Sequence, residues 1–258
     1  APELPDEKCP YLGLNAFGEE DGPRFFGRSA LIEDAIERLS RRRFLAVVGP
    51  SGSGKSSLVR AGILPRLRTL AAPGAEPWRI STMVPGSDPL AALSALKLEV
   101  EKAPPILLIV DQFEEVFTLC DKEADRCQFV DALLSLVNAQ VAHRVILTVR
   151  SDFESYMAKY DALYELYGAD RVLITPLGAA GLRDAREKPA VLGGLKFEAR
   201  VAGNVLHDLL GEPAGLPLLQ FTLLMMWERR QRNRITLEVY ERLGGGRKAL
   251  SSSADEVY

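Results

Sequence analysis

The apolar run Phe44-Leu45-Ala46-Val47-Val48, followed at once by Gly49-Pro50-Ser51-Gly52-Ser53-Gly54-Lys55-Ser56-Ser57, constrains this chain more than any other stretch. Gly49, Gly54, Lys55 and Ser56 fit the spacing G-x-x-x-x-G-K-[ST], and the helix-compatible segment Leu58-Val59-Arg60-Ala61 follows. Such a loop turns backbone N–H groups inward around phosphate oxygens, and the helix start after it adds partial positive charge. Residues Pro50, Ser51, Gly52, Ser53, Gly54, Lys55, Ser56 and Ser57 are therefore candidate phosphate-binding positions. Lys55 supplies a mobile cation for the outer phosphates, Ser56 offers a hydroxyl to Mg2+, and a side chain at the glycines would block the approach. The competing reading is a flexible Gly/Ser loop with no ligand.

A strand, loop and helix of this kind belong to a parallel α/β sheet, and the chain up to about residue 175 supplies one. Leu31, Ile32, Ala35, Ile36 and Leu39 have helical spacing after a possible N-cap at Ser29. Strand patterns cover 78–84, 106–110, 145–149 and 171–175; helical ones cover 88–102 and 123–140, and 71–77 reads as a break. The all-apolar Ile106-Leu107-Leu108-Ile109-Val110 reads as a strand buried on both faces, and Ser151-x-x-Glu154 as a capping box. Beyond 176 the pattern changes to helices near 178–190, 199–210, 216–231 and 236–243, with no sheet of their own. The expected organisation is an N-terminal arm over 1–28 that packs by Tyr11, Phe17, Phe25 and Phe26, an α/β phosphate-loop (P-loop) domain with flanking helices over 29–176, and a smaller all-helical lid over 177–258. The sequence stops inside what reads as another helix, so it is expected to be a piece of a longer protein.

At 258 residues and 47% apolar composition the chain can bury one generous core and a lid. A formal net charge of −3 argues against a generally nucleic-acid-binding surface, and no apolar run is long enough to span a bilayer. The first residues lack the basic start and apolar centre of a signal peptide. Three cysteines without metal or redox spacing fit a reducing cytoplasm; Cys120 and Cys127, two helical turns apart, read as core residues. His143 and His207 have no ligand spacing and read as surface or core fillers. The run Arg229-Arg230-Gln231-Arg232-Asn233-Arg234 reads as a solvated face or a partner-binding patch.

Ligands of open parallel sheets gather at the carboxyl ends of the strands, and polar residues end the strands here. Asp111 follows 106–110 in the position of an acid that binds Mg2+ through water, with Glu114 and Glu115 in reach to polarise an attacking water. The alternative is an acidic helix start. Arg150 ends the strand 145–149, where its paired donors could reach a γ-phosphate or form a structural ion pair with a nearby acid.

Cys9-Pro10-Tyr11-x-Gly13-Leu14-x-x-Phe17, Glu20-Asp21, Phe25-Phe26-Gly27-Arg28, the loop with Ser57-Leu58-Val59-Arg60-Ala61-Gly62, Val110-Asp111-Gln112-Phe113-Glu114-Glu115 and Val149-Arg150-Ser151-Asp152-Phe153 together resemble the bacterial novel STAND NTPases. These are signal-transducing ATPases related to NACHT and apoptotic-ATPase modules, and the resemblance runs from about residue 9 to the end of the sequence. It implies that Phe26, Gly27 and Arg28 lie against the adenine and ribose of ATP or ADP. It implies a G-x-P element at Gly215-Leu216-Pro217 whose proline touches the base, though Pro217 also suits an ordinary first helical turn. It makes Arg150 the sensor arginine and Glu115 the better match to the water-activating acid, with Glu114 the alternate. One departure is a short connection between the helix near 88–97 and the strand at 106, around Lys97-Leu98-Glu99; the ending Gly246-Arg247-Lys248-Ala249-Leu250 also looks clipped.

The function expected from these residues is an ATP-dependent switch with slow hydrolysis, using ATP or ADP and Mg2+, in which the occupant of the loop sets the relative position of the α/β domain and the lid. Protein partners or self-association are expected through domains outside this sequence, with neither membrane nor nucleic acid as partner. Two other classes compete. One is a free-running ATPase or small-molecule kinase, which needs an acceptor pocket that residues 176–258 do not suggest. The other is a nucleotide-stabilised scaffold that does not hydrolyse.

Overall fold

A computed structural model describes residues 5, 9–70, 78–98, 101, 104–210 and 215–244. The break at 71–77, Glu99, and the glycine and serine runs after residue 244 lie outside these residues, whereas the helix expected over 88–102 ends at Ala95, with Lys97 in the left-handed region at φ +48° just beyond it. In chain order the elements are α1 (Ser29–Arg41), β1 (Phe44–Gly49), α2 (Lys55–Ser57), a π turn (Leu58–Ile63), α3 (Leu64–Leu70), β2 (Arg79–Met83), α4 (Pro89–Ala95), β3 (Ile106–Val110), α5 (Glu115–Thr118), α6 (Glu123–Asn138), β4 (Arg144–Arg150), α7 (Glu154–Met157), α8 (Asp161–Ala169), β5 (Arg171–Leu173), α9 (Ala179–Gly193), β6 (Lys196–Phe197), α10 (Ala199–Leu209), α11 (Gly215–Glu228), β7 (Arg234–Ile235) and α12 (Leu237–Arg242).

The chain divides into two compact units, one built from Ala30–Ser51 and Ile63–Ile174, the other from Ala1–Ser29, Gly52–Gly62 and Thr175–Tyr258. The chain passes between the two at four points, one of them, Ser51 to Gly52, inside the glycine-rich loop. In the first unit, β1 to β5 form a parallel sheet of order β2-β3-β4-β1-β5. This is the α/β sheet with flanking helices that the sequence pattern predicts. Every residue of β1 and β3 is buried, as a central strand covered on both faces requires. Val48, Leu108, Val110, Phe113, Phe129, Leu133 and Leu147 share one core with α6, and each such side chain contributes about 1.5–3 kcal/mol by leaving water. His143 is buried at the entry to β4, where its Nδ1 accepts from the Ile106 N–H at 2.9 Å, whereas His207 is exposed.

In the second unit, Leu182, Val201, Val205, Leu219, Leu223, Met226, Trp227 and Tyr240 form a separate core joined by Tyr11 of the arm, whose hydroxyl donates to the Arg186 carbonyl at 2.7 Å. Phe17 is buried and meets Phe25 edge-on at 5.4 Å.

Three details differ from expectation. The C-terminal segment is helical but also carries a short parallel ladder, Lys196↔Arg234 and Phe197↔Ile235, too brief to leave a strand pattern in sequence. Cys120 is buried but Cys127 is exposed: α6 begins only at Glu123, so a seven-residue helical spacing does not relate the two. Ser151 makes no capping hydrogen bond, because Ser151–Phe153 is a 3-10 turn and the Glu154 carboxylate is taken by Arg171 at 2.7 Å.

Candidate nucleotide site

Ten of the sixteen candidate residues lie in the unit that holds the arm and the C-terminal helices. Gly52 and Gly54 have φ of +70° and +88°, a region open to glycine at no steric cost, so the loop curls as a phosphate cradle must. Ser53 is buried between them, and its Oγ has no hydrogen-bond partner. Buried hydroxyls rarely stay unpaired, and an acceptor oxygen such as a phosphate's would satisfy this one. Lys55 and Ser57 are also buried, Ser56 is half-buried, and Pro50 and Ser51 are exposed.

Two other segments close on this loop. The arm reaches it through Phe17, whose N–H donates to Ser57 Oγ at 3.1 Å. The first turn of α11 lies over the glycines: a Cβ added at Gly52 would come 3.5 Å from Pro217, and one added at Gly54 3.0 Å from Leu216. The next arm element is fixed by backbone. Gly27, at φ +91°, packs so tightly on α9 that an added Cβ would stand 2.5 Å from the Gly181 carbonyl oxygen. Arg28 is buried and donates to the Thr175 carbonyl at 2.7 Å, and desolvation pulls its pKa below the usual guanidinium value. Phe26 lies 5.7 Å from the Lys188 ammonium, within reach of a cation–π attraction.

The sheet unit carries the acids and Arg150. Parallel pairing puts Gly49 beside Arg150 in register and ends β3 and β4 at the same edge as β1. Asp111, 1% exposed, receives the Thr148 hydroxyl at 2.6 Å. The same hydroxyl oxygen accepts the Gln112 N–H at 2.9 Å, and the Thr148 carbonyl accepts the Phe113 N–H at 2.8 Å. Gln112 takes φ +56°, unusual for a side-chain-bearing residue, and this kink turns the chain away from the sheet immediately after the acid.

Glu114 and Glu115 diverge. A Glu114 carboxylate oxygen accepts the Arg150 N–H at 3.2 Å, at the end of β4 and so next to β1; one from Glu115 accepts the Gly86 N–H at 3.0 Å, beyond β2 at the far edge of the sheet. The Arg150 guanidinium forms a two-point pair with Asp152 at 3.0 and 2.6 Å and lies 5.4 Å from the Phe153 ring. The hydrogen bond to Asp152 raises its pKa, so it stays a cation at any working pH.

Some of the predicted residues meet: Gly52 lies by Pro217 in one unit, and Arg150 by Glu114 in the other, whereas Phe26, Gly27 and Arg28 rest on Lys188, Gly181 and Thr175. Sequence reading missed Thr148, although one hydroxyl in the aliphatic run Val145-Ile146-Leu147-Thr148-Val149 was a usable signal. The alternative expected for Arg150, a structural ion pair with a nearby acid, is formed with Asp152. Among the described residues no group of three or more His, Cys, Asp and Glu is placed to hold a metal ion, and no helix is long and apolar enough to cross a membrane. A magnesium ion on a phosphate loop takes its ligands mainly from phosphates, one hydroxyl and water, so it needs no such cluster.

The family described as novel STAND NTPase 1 matches residues 10–258. The chain belongs to that family. Among curated proteins, the zinc import ATP-binding protein ZnuC of Cereibacter sphaeroides is 38% identical over 86 residues, 30% of this chain and 35% of that protein, so the STAND chain matches only about a third of that relative's length. Among solved structures, ORC1 of Aeropyrum pernix in complex with DNA superposes with a TM-score of 0.63 at 15% identity, covering 88% of this chain and 66% of that one. ORC2 of the same organism, in ADPNP–ADP complexes, gives 0.59 at 15% identity, covering 86% and 66%. These likenesses show a shared fold. Family membership makes this chain a STAND-type NTPase, and the superpositions show that it shares the fold of those structures.

Proposed function

We propose that this STAND NTPase is a switch that holds ATP or ADP on the loop Gly49–Ser57 and hydrolyses ATP slowly. The observation that carries the proposal is that the loop is in contact with two elements outside the sheet, the arm through Phe17 and α11 through Leu216 and Pro217. A ligand that changes the loop changes what both can pack against. Lys55 would balance charge on the outer phosphates, and Arg28 with Phe26 and Pro217 would line the nucleoside. Magnesium, when bound between the outer phosphates, would draw off their negative charge, with the Ser56 hydroxyl and, through water, Asp111 as its protein partners. Thr148 holds the Asp111 carboxylate in one orientation.

For the water-orienting acid, the geometry favours Glu114 over Glu115, because Glu114 sits at the β4 end adjacent to β1 and Glu115 faces the loop after β2. Arg150 would report the γ-phosphate, which must compete with Asp152 for the guanidinium donors. The arm, α/β domain and lid act as the working parts, in the cytoplasm, and the signal passes to other proteins or further copies through segments outside this sequence. The free thiols and the net charge of −3 support that setting and protein rather than nucleic-acid partners.

Denaturing the purified protein and identifying the released small molecules tests the reading. Near-stoichiometric ADP or ATP is expected. A nucleotide-free protein that binds ATP only at millimolar concentration would sink it.

A further inference from the structure

In α11, Gln220 and Thr222 interrupt an otherwise apolar run, Leu218-Leu219-Gln220-Phe221-Thr222-Leu223, in which Leu218, Leu219 and Leu223 serve the core. It is 5% exposed, and its Oε1 is buried without a hydrogen-bond partner. An unpaired buried acceptor is unfavourable, and native proteins keep few of them unless a ligand or water supplies the donor. Gln220 follows Pro217 by three positions and Leu216 by four, so all three lie on one face of the helix. That is the face whose first turn lies on Gly52 and Gly54 of the phosphate loop. One helical turn, about 5.4 Å, carries the face from the loop to the amide.

We infer that Gln220 reads the base of the bound nucleotide, its Oε1 accepting from the 6-amino group of adenine. The inference rests on the loop holding the phosphates, as proposed above, and adds what the rest of the ligand meets. A nucleoside attached to phosphates on Gly52–Ser57 extends beyond the loop, and α11 offers it one turn of apolar contact followed by a single acceptor. Adenine has its only base hydrogen-bond donor in the 6-amino group, whereas a 6-oxo purine presents an acceptor there and meets Oε1 with repulsion. Gln220 is in this sense a specificity residue: it leaves phosphate binding alone and selects the base.

Equilibrium binding of three ligands separates these contributions: ATP, purine riboside triphosphate, which lacks the 6-amino group, and inosine triphosphate, which carries a 6-oxo group. The protein is expected to bind ATP about tenfold more tightly than the purine analogue, and inosine triphosphate more weakly still. Gln220→Leu is expected to lower ATP affinity to that of the purine analogue while leaving the analogue unchanged; Gln220→Glu, which keeps an acceptor, is expected to retain the preference. A Gln220→Leu variant that weakens both ligands equally, or that keeps the tenfold preference, overturns the inference and leaves the nucleotide reading standing. If Gln220→Leu does not fold, the unaltered protein decides, since equal binding of ATP and inosine triphosphate overturns it as well. No binding of any of the three by the unaltered protein overturns the nucleotide reading itself, and the inference with it.

Discussion

At Asp111 one hydroxyl does two jobs. Thr148 Oγ1 donates to the carboxylate and accepts from the Gln112 N–H, so it fixes the acid and the turn after it together. Thr148→Val keeps the shape and removes both bonds. It is expected to cost about 1–3 kcal/mol, read as a lower urea midpoint with unchanged m-value. It is also expected to weaken the magnesium dependence of ATP binding more than ADP binding without metal. The two glutamates give a sharper contrast: Glu114→Gln is expected to lower single-turnover ATP hydrolysis about a hundredfold or more, and Glu115→Gln less than tenfold. The reverse ranking would return the role to Glu115. Asp111 and Arg150 stood out in sequence because each follows a strand-like run directly, and Lys55 because it sits in the G-x-x-x-x-G-K-[ST] spacing. Thr148 was passed over although a lone hydroxyl in an aliphatic run marks it, because its role depends on which strand lies beside β4, and the pairing of β3 with β4 is not written locally in the sequence.

Elements carry their own backbone demands. Gly27 stands at φ +91° with the Gly181 carbonyl 2.5 Å from where a Cβ would sit, so Gly27→Ala forces either the arm or α9 to shift. A loss of about 1–3 kcal/mol is expected, together with weaker nucleotide binding, since Arg28 follows directly. Gln112 is the opposite case. Its side chain is exposed and its φ is +56°, so Gln112→Gly is expected to be neutral or stabilising by up to about 1 kcal/mol, and Gln112→Val destabilising by about 1–2 kcal/mol. Hydrophobic periodicity placed the long elements well: β3 spans the predicted 106–110, and α6 starts at the predicted Glu123. It failed where tertiary pairing decides. The expected cap at Ser151 lost its glutamate to Arg171, and the β6–β7 ladder is only two residues long on each side.

For the whole molecule, the loop is one of four places where the chain passes between the two units, and a ligand that binds it in the folded state alone adds to the stability of that state. ADP at a hundredfold excess over its dissociation constant contributes about 2.7 kcal/mol, a rise in melting temperature of roughly 5–10 °C, and Lys55→Ala is expected to abolish most of it. Composition and charge bounded this scale in sequence, but the division of the chain did not show there, because residues 52–62 group with the arm and the C-terminal helices rather than with the sheet they follow in the chain. In the proposed switch the γ-phosphate selects between two states of the elements resting on the loop. Hydrogen exchange of the protein with ADP, and with a non-hydrolysable ATP analogue plus Mg2+, tests it most directly. Different protection is expected in Phe17–Arg28 and in the first half of α11, and identical exchange in both ligand states would contradict the account.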